Sequence, residues 1–292
     1  MISNTILKSN GLIMYGTYYE ANKQLAHTYN VYTALPTAGV ASLGDGVAAS
    51  NVTASNTTLS LTPFNANYAW SQNYVGTDVS GFMSRQLPLY LSAVGQAQEK
   101  AYIYGTSSQG ISAYSGTGLH QYCTANNTRV NLSTATGSIH STIFAIRFSP
   151  MEDMDGAAIV VDPLSAGAGV WYTNDYWQDL IRVNGSTGPF SGYELQVSNN
   201  SAMILPGTNN VACISGINGS TVPTVTQIDD MLNAVKFDSN TIILVNRKTW
   251  AIINKIGKAD NIQMVPNEFG YSDLLATWNG VPIIVDDNLL ST

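Results

Sequence analysis

The stretch that most constrains the fold runs from Thr226 to Leu290, TQIDDMLNAVKFDSNTIILVNRKTWAIINKIGKADNIQMVPNEFGYSDLLATWNGVPIIVDDNLL. Ile228, Met231, Leu232 and Val235 fall at i, i+3, i+4 and i+7, which predicts one apolar helix face. Thr226 followed by Asp229 predicts a capping box with Asp in place of Glu. Thr241 to Val245 is a short apolar run, mostly β-branched, and predicts a buried strand. Asn246 is placed to cap a second helix, in which Trp250, Ile253 and Ile256 share a side before Gly257 stops it. Trp250 is therefore expected to be buried. Leu274 to Trp278 and Val281 to Val285 flank Asn279-Gly280, the strongest short hairpin signal. Pro282 has no N–H to donate, so its strand begins there or lies on an edge. Helix, strand, helix, strand and hairpin in that order predict a compact α+β unit.

Upstream, Val31 to Gly76 holds one charged residue, Asp45, among Ala, Gly, Ser, Thr and Asn. VYTALP opens it, TTLSLTPFNANYAW closes it and LGDG lies between, which predicts two strands of a long ribbon. Such a ribbon is marginal alone in water and must lie on something else. Tyr32, Leu35, Phe64, Tyr68 and Trp70 argue against a flexible linker. Asp78 or Ser80 is placed to cap a helix, with Pro88 in the first turn of its main part. Tyr90, Val94, Ala97, Ala101 and Tyr104 then keep helical spacing. Met1 to Asn30 has no strong period beyond a helical turn expected over Tyr19 to His27. His140 to Val222 reads mostly as strands: Phe144, Ile146 and Phe148 alternate with Ala145 and Arg147, Ala157 to Val161 is continuously apolar, and Tyr193 to Val197 alternates.

The order of these pieces resembles the tailed-phage major capsid proteins of the Hong Kong phage type, in the superfamily that includes encapsulins and the herpesvirus capsid floor. Similar proteins have a capped helix leading to a strand that ends in Asn, as in ILVNRKTW, then a second helix and a hairpin like WNGVPIIVDDNLL. SIHSTIFAIRF, followed by a Gly-bearing turn at Met154 to Gly156, resembles the strand pair after the spine helix in one branch of that family. The resemblance implies an α+β fold in four parts: an N-terminal arm over 1–30, an extended β-ribbon loop over 31–76, a peripheral domain with a long spine helix over 77–210, and an axial domain over 211–292. It implies a mechanical function, not an enzyme: copies of the chain form pentamers and hexamers and close an icosahedral shell around double-stranded DNA. It further implies a scaffolding protein, a portal, decoration proteins in some members, and assembly in the host bacterial cytoplasm. The founding member of the family joins a loop lysine to a neighbour's asparagine, helped by a carboxylate. That chemistry needs an amine nucleophile. This chain has no lysine between Lys23 and Lys100, and the guanidinium of Arg85 stays protonated. Shells without such cross-links are therefore expected.

Composition fits this reading. Charged residues make up 11% of the chain, against roughly 25% in an ordinary soluble domain, while hydrophobic residues reach 45%. Surfaces that are buried on assembly are depleted in charge and enriched in aromatics, and a loop-rich secreted β protein shares that balance. The net charge of −7 and scattered Arg argue against sequence-reading of nucleic acid, which needs a basic face. The two cysteines, Cys123 and Cys213, force no disulfide framework. Met1 to Asn10 lacks a signal-peptide pattern, and no apolar run reaches 18 residues. The Asn-x-Ser/Thr triplets at Asn51, Asn56, Asn126, Asn131, Asn184, Asn199 and Asn218 arise from a composition rich in those residues. Two rivals remain: an encapsulin-type nanocompartment shell, and a secreted β-rich adhesin or an enzyme. The second rival would stay small in solution.

No catalytic, cofactor or metal residues are assigned. His120 and Cys123 have ligand spacing but no second pair, since Cys213 and His140 are isolated, and a closed zinc site needs four ligands. Glu152, Asp153 and Asp155 before Gly156 resemble part of a calcium loop without its distal Glu, and read better as a solvated turn. Asp286-Asp287-Asn288 ends a strand and is placed to cap the next segment; a cation there is the alternative. The glycines Gly105, Gly110, Gly116 and Gly118 lack the Gly-Lys-Ser/Thr ending of a phosphate loop. His27, His120 and His140 lie in no nucleophile-elbow sequence.

Overall fold

The computed structural model describes residues 10–34, 36, 38–39, 50–105, 118–132, 141–149, 156–162, 172–175, 181–185, 188–218, 221–257, 262–266 and 274–289. LGDG, Gly110, Gly116, His140 and the acidic run Glu152, Asp153 and Asp155 lie outside them. In chain order the elements are α1 (Gly11–Tyr15), β1 (Tyr18–Glu20), β2 (Ala26–Ala34), β3 (Thr53–Ser60), β4 (Thr62–Ser71), α2 (Gln72–Val75), α3 (Val79–Tyr104), α4 (Leu119–Ala125), β5 (Arg129–Asn131), β6 (Ser141–Arg147), β7 (Ala158–Val161), β8 (Tyr172–Asp175), β9 (Ile181–Gly185), β10 (Gly188–Ile204), β11 (Val211–Ile217), α5 (Val225–Ala234), β12 (Thr241–Val245), α6 (Arg247–Gly257), β13 (Ile262–Pro266), β14 (Leu274–Trp278) and β15 (Val281–Val285).

Strand β10, 17 residues long, is the axis of a six-stranded sheet. One of its edges pairs with β4 from Gly192 to Ser201. The other is shared in turn by β9, β8 and β7. β1 joins parallel to β7 and brings the N-terminal segment into the sheet. The α3 helix lies on this sheet, with Leu91 and Val94 packed among Trp70, Leu195 and Val197.

A seven-stranded sheet runs in the order β13-β14-β15-β12-β6-β11-β5. Two of its strands, β5 and β6, precede Val211. Helices α5 and α6 cover one face, where Ile228, Met231, Leu232, Val235 and Ile253 meet Ile143, Ala145, Ile243 and Val245. The other face meets α1, α4 and the last turn of α3, where Leu12, Tyr102, Leu119 and Cys123 meet Phe144, Ile146 and Leu244. Covered on both faces, β6 is buried from Ser141 to Ile146 despite its alternating sequence.

The axial block forms the expected elements, with local corrections. The cap of α5 lies two residues earlier than the sequence reading: Thr224 and Gln227 form the capping box. Asp229 instead accepts the indole N–H of Trp278 at 2.8 Å and the Asn279 amide at 3.0 Å. Asn246 does cap α6, its Oδ1 accepting the Thr249 N–H at 2.7 Å. Asn279 and Gly280 turn the β14–β15 hairpin with φ of 50° and 86°, as a primed turn requires. Pro282 sits at the start of β15, which is an interior strand and not an edge. Tyr19 to His27 holds no helical turn; β1 ends there and β2 begins.

Trp250 is half-buried at the margin of its cluster, whereas Trp278 is fully buried. The sequence reading therefore chose the wrong tryptophan. Trp278→Ala is expected to cost about 3–5 kcal/mol, the range for removing a large buried aromatic. Trp250→Ala should cost well under half of that. Urea unfolding of both variants checks the order, and a larger loss at Trp250 would contradict it.

Candidate functional site

Three features of this fold are candidates for function: the ribbon, the long helix α3, and the polar groups buried along it. The ribbon is an antiparallel pair, β2 with β3, registered from Ala26–Ser60 to Ala34–Thr53. Its base is anchored: Tyr29 and Leu61 pack with Val160, Ala202 and Ile204, joined by the half-buried Val31 and Leu59. From Thr53 to Thr58 every residue of β3 is exposed. Phe64, Tyr68 and Trp70, read from sequence as ribbon, belong to β4 and pack under α3. The exposed part of β3, Thr53 to Thr58, thus has no large apolar side chain and carries only Thr, Ala, Ser and Asn. Lys23 is exposed at its base.

Helix α3 is one continuous helix of 26 residues. Asp78 caps it by accepting the Gly81 N–H at 2.9 Å. Pro88 lies inside and not in a first turn, so the Ser84 carbonyl has no i+4 donor there. Toward solvent the helix and its approach expose Leu89 and Tyr74, 66% and 69% accessible. At its C-terminus Gly105 has φ of 70°, and Gly118 comes so close that a Cβ there would lie 2.3 Å from the Gly105 nitrogen. That contact seats α4 against the end of α3.

The buried side of α3 differs from the apolar face read in the sequence. Ala97 is exposed, and Gln98, Glu99 and Tyr102 are buried. Gln98 Nε2 donates to Ser201 Oγ and to the Tyr102 hydroxyl, each at 2.8 Å, and that hydroxyl lies 2.6 Å from Ser201 Oγ. Burial pushes the Tyr102 phenol up, against the pull of Ser201 and Gln98. Glu99 is fully buried. Its carboxyl accepts the Leu12 N–H of α1 and the side-chain amide of Asn288, the residue whose own N–H goes to Asp286. Burial above all, then the Asp286 charge, holds the Glu99 carboxyl well above the usual carboxylate range. Asn288 also donates to Asn10 Oδ1 at 2.8 Å, and Asp286 Oδ1 accepts the Asn288 N–H at 2.8 Å. No sequence signal marks Glu99 or Asn10, because a helical pattern search assigns polar positions to solvent.

The other sequence candidates fall apart in space or take structural roles. Cys123 and Cys213 are free, buried and in contact, and burial pushes the Cys123 thiol far up, which suits an inert core residue. Burial, then Arg129, lowers the His120 imidazole. His27, in β2 at the base of the ribbon, is buried and stacked at 6.2 Å from Tyr29. Asp287 pairs with Arg247 at 2.8 Å, with both side chains largely exposed. The described residues hold no group of three or more His, Cys, Asp or Glu placed to bind a metal. No described helix is long and apolar enough to cross a membrane.

No protein-family model and no curated protein sequence matches the chain. Its fold is nevertheless shared with solved structures. A chain from the near-atomic cryo-EM structure of bacteriophage Epsilon15 is similar over 95% of this chain and 86% of its own, with a TM-score of 0.61 at 14% identity. A chain of the bacteriophage JBD30 capsid is similar over 97% of this chain and 91% of its own, with a TM-score of 0.55 at 11% identity. The chain thus has the α+β capsid fold of the Hong Kong phage type that its sequence resembles.

The contact between α3 and β10 makes a direct prediction. Tyr102→Phe removes one hydroxyl from a dry network and should destabilise the chain by about 1 kcal/mol, with the Ser201 and Gln98 pair retained. Urea unfolding followed by circular dichroism reads this, and an unchanged midpoint would mean that water replaces the hydroxyl.

Proposed function

We propose that this chain is the major capsid protein of a tailed phage. Its copies associate into pentamers and hexamers and close an icosahedral shell around double-stranded DNA. The observation that carries this reading is the likeness in fold, over nearly the whole chain, to a chain of the JBD30 capsid. The ribbon supports it: its exposed strand has no core of its own, as expected of a segment that lies on a neighbour. The sparse charge suits a surface mostly taken up by copies of itself.

In this reading the arm, the extended loop, the peripheral domain with α3 as the spine helix and the axial domain follow in the order 1–30, 31–76, 77–210 and 211–292, with β1 and β4 lent by the first two to the six-stranded sheet. The six-stranded sheet is the body of the peripheral domain, and the seven-stranded sheet extends the axial one with β5 and β6. The role is mechanical and needs no catalytic residue, cofactor or metal. Each subunit meets several neighbours, so weak contacts multiply through effective concentration. A scaffolding protein, a portal and decoration proteins are the expected partners. DNA is enclosed without sequence-specific contact, as the acidic balance suits. Assembly takes place in the host bacterial cytoplasm, and the product is the virion.

Negative-stain images of the purified protein should contain closed icosahedral particles; a chain that stays monomeric in solution would overturn the reading. Replacing residues 35–52 by an Asn-Gly turn keeps the registered part of the ribbon. That variant should unfold at the wild-type urea midpoint yet form no closed shells. Loss of folding would instead place the removed segment in the subunit's own core.

The covalent state of the shell is a separate expectation. The chain from Val31 to Glu99 contains no lysine. Mature particles boiled in detergent and reductant should therefore release a single band near the chain mass of 31.2 kDa. A ladder of multimers carrying Lys–Asn linkages would contradict it.

A further inference from the structure

We propose that the buried pair of Glu99 and Asp286 is a proton-held latch that fastens the N-terminal segment and the segment after β15 to the C-terminal part of α3. The latch belongs to the fold of the single chain and does not depend on the shell reading.

The geometry requires a shared proton. Glu99 is 0% and Asp286 2% exposed, so neither carboxyl reaches bulk water. Asn288 ties the two together, its side-chain amide donating to Glu99 Oε2 and its N–H to Asp286 Oδ1, and two ionised carboxylates held this close in a dry site repel each other. Asp286 Oδ2 is buried and takes no N–H or O–H from another described residue. The other donors are already used: Leu12 N–H and the Asn288 amide go to the two oxygens of Glu99, and the Asn288 N–H goes to Asp286 Oδ1. Among the described residues the other titratable group coupled to Glu99 is Tyr18 on β1, a phenol whose own ionisation burial opposes. One proton between the carboxyls supplies the missing hydrogen and removes one of two charges in a dry site.

That proton sits where three distant parts of the chain meet. Asn10 and Leu12 begin α1, Glu99 is on α3, and Asp286 and Asn288 come after β15. Gly11 packs against the same place: a Cβ on it would lie 2.7 Å from Ile284 and 3.4 Å from the Asp286 side chain. Two carboxylates left here without the proton repel each other and need water. The cheapest relief is withdrawal of the short α1 or of the segment after β15, since α3 is held along its length.

The sign of the shift sets the pH dependence. The folded pKa of Glu99 is raised above its ordinary 4.5, so the latch's contribution is complete below about pH 4.5 and is lost as pH rises through the raised value. Alkali opens the latch and acid closes it.

The test uses the full-length chain in solution. Infrared difference spectra taken over a pH series should contain, in the wild type and not in Glu99→Gln, a protonated-carboxyl C=O band that persists above the pH at which exposed carboxyls ionise. Hydrogen exchange of the peptide bearing Leu12, corrected for chemical exchange, should then rise about tenfold per pH unit while the proton is being lost. In Glu99→Gln, whose amide supplies permanent hydrogens, the corrected exchange should be flat. Asp286→Asn supplies them from the other partner and carries the same test if Glu99→Gln does not fold. Parallel pH profiles in wild type and both variants would overturn the latch. So would absence of the carboxyl band, or opening caused by a chelator at constant pH, which would make the shared ligand a cation.

Discussion

The fold depends on the burial of the last turn of α3 between two sheets. Ala101, Tyr102 and Ile103 have no exposed surface, and they touch residues from both sheets and from α1 and α4. A helix end normally leaves carbonyls that need water or a cap. Here the Gly105 N–H returns to Ala101 O at 2.8 Å, and the close approach of Gly118 brings α4 in behind it. With that end fixed, the rest of the helix can only run out across the six-stranded sheet. Its exposed first half is carried on a rigid base.

The two sheets use different means to cover their edges. In the six-stranded sheet one long strand is sheathed by four others, because β9, β8 and β7 divide one edge of β10 among them. In the seven-stranded sheet β6 is sealed on both faces, and among the described strands β13 and β5 form the edges. The ion pair between Arg247 and Asp287 is open to solvent and of small value. The ribbon strands β2 and β3 carry no Asp, Glu, Lys or Arg, and Tyr74 on α2 and Leu89 on the first half of α3 are exposed.

Polar burial sets α3 apart from an ordinary core helix. Gln98, Glu99 and Tyr102 occupy positions that apolar residues would fill at lower cost, since each must find a partner in a site without water. Ser201 on β10 meets Gln98 Nε2 and the Tyr102 hydroxyl, while Gln98 Oε1 has no partner among the described residues, and Glu99 takes donors from segments near both ends of the described chain. Polar contacts are directional, so they fix the register of α3 against its surroundings in a way that sliding aliphatic surfaces do not. Pro88 breaks the hydrogen-bond ladder of the same helix on its exposed half. One end of α3 is thereby locked and the other eased.

Much of the architecture was legible in the sequence because it rests on local chemistry. The apolar stripe Ile228–Val235, the β-branched run Thr241–Val245, the Asn246 cap and the Asn279-Gly280 turn each fold as their own residues dictate, and Asp78 caps α3 where expected. The misreadings came where two local signals competed or a distant group intervened. Thr224 prevailed over Thr226 as a cap because Gln227 returns the bond. Asp229 was free to serve Trp278, and the hairpin that carries Trp278 buried it in place of Trp250. Phe64, Tyr68 and Trp70 left the ribbon because β10 offered a pairing edge long enough to take all of β4. The carboxyl pair could not be seen at all. Glu99 is polar in a helix and reads as solvent-facing; Asp286 reads as a turn residue. The sequence by itself determined the elements, their caps and the α+β class, since these depend on neighbours within a turn or a hairpin. Only the tertiary structure decided that residues 10, 99 and 286 share one dry site, because that contact depends on how two sheets close around the end of a single helix.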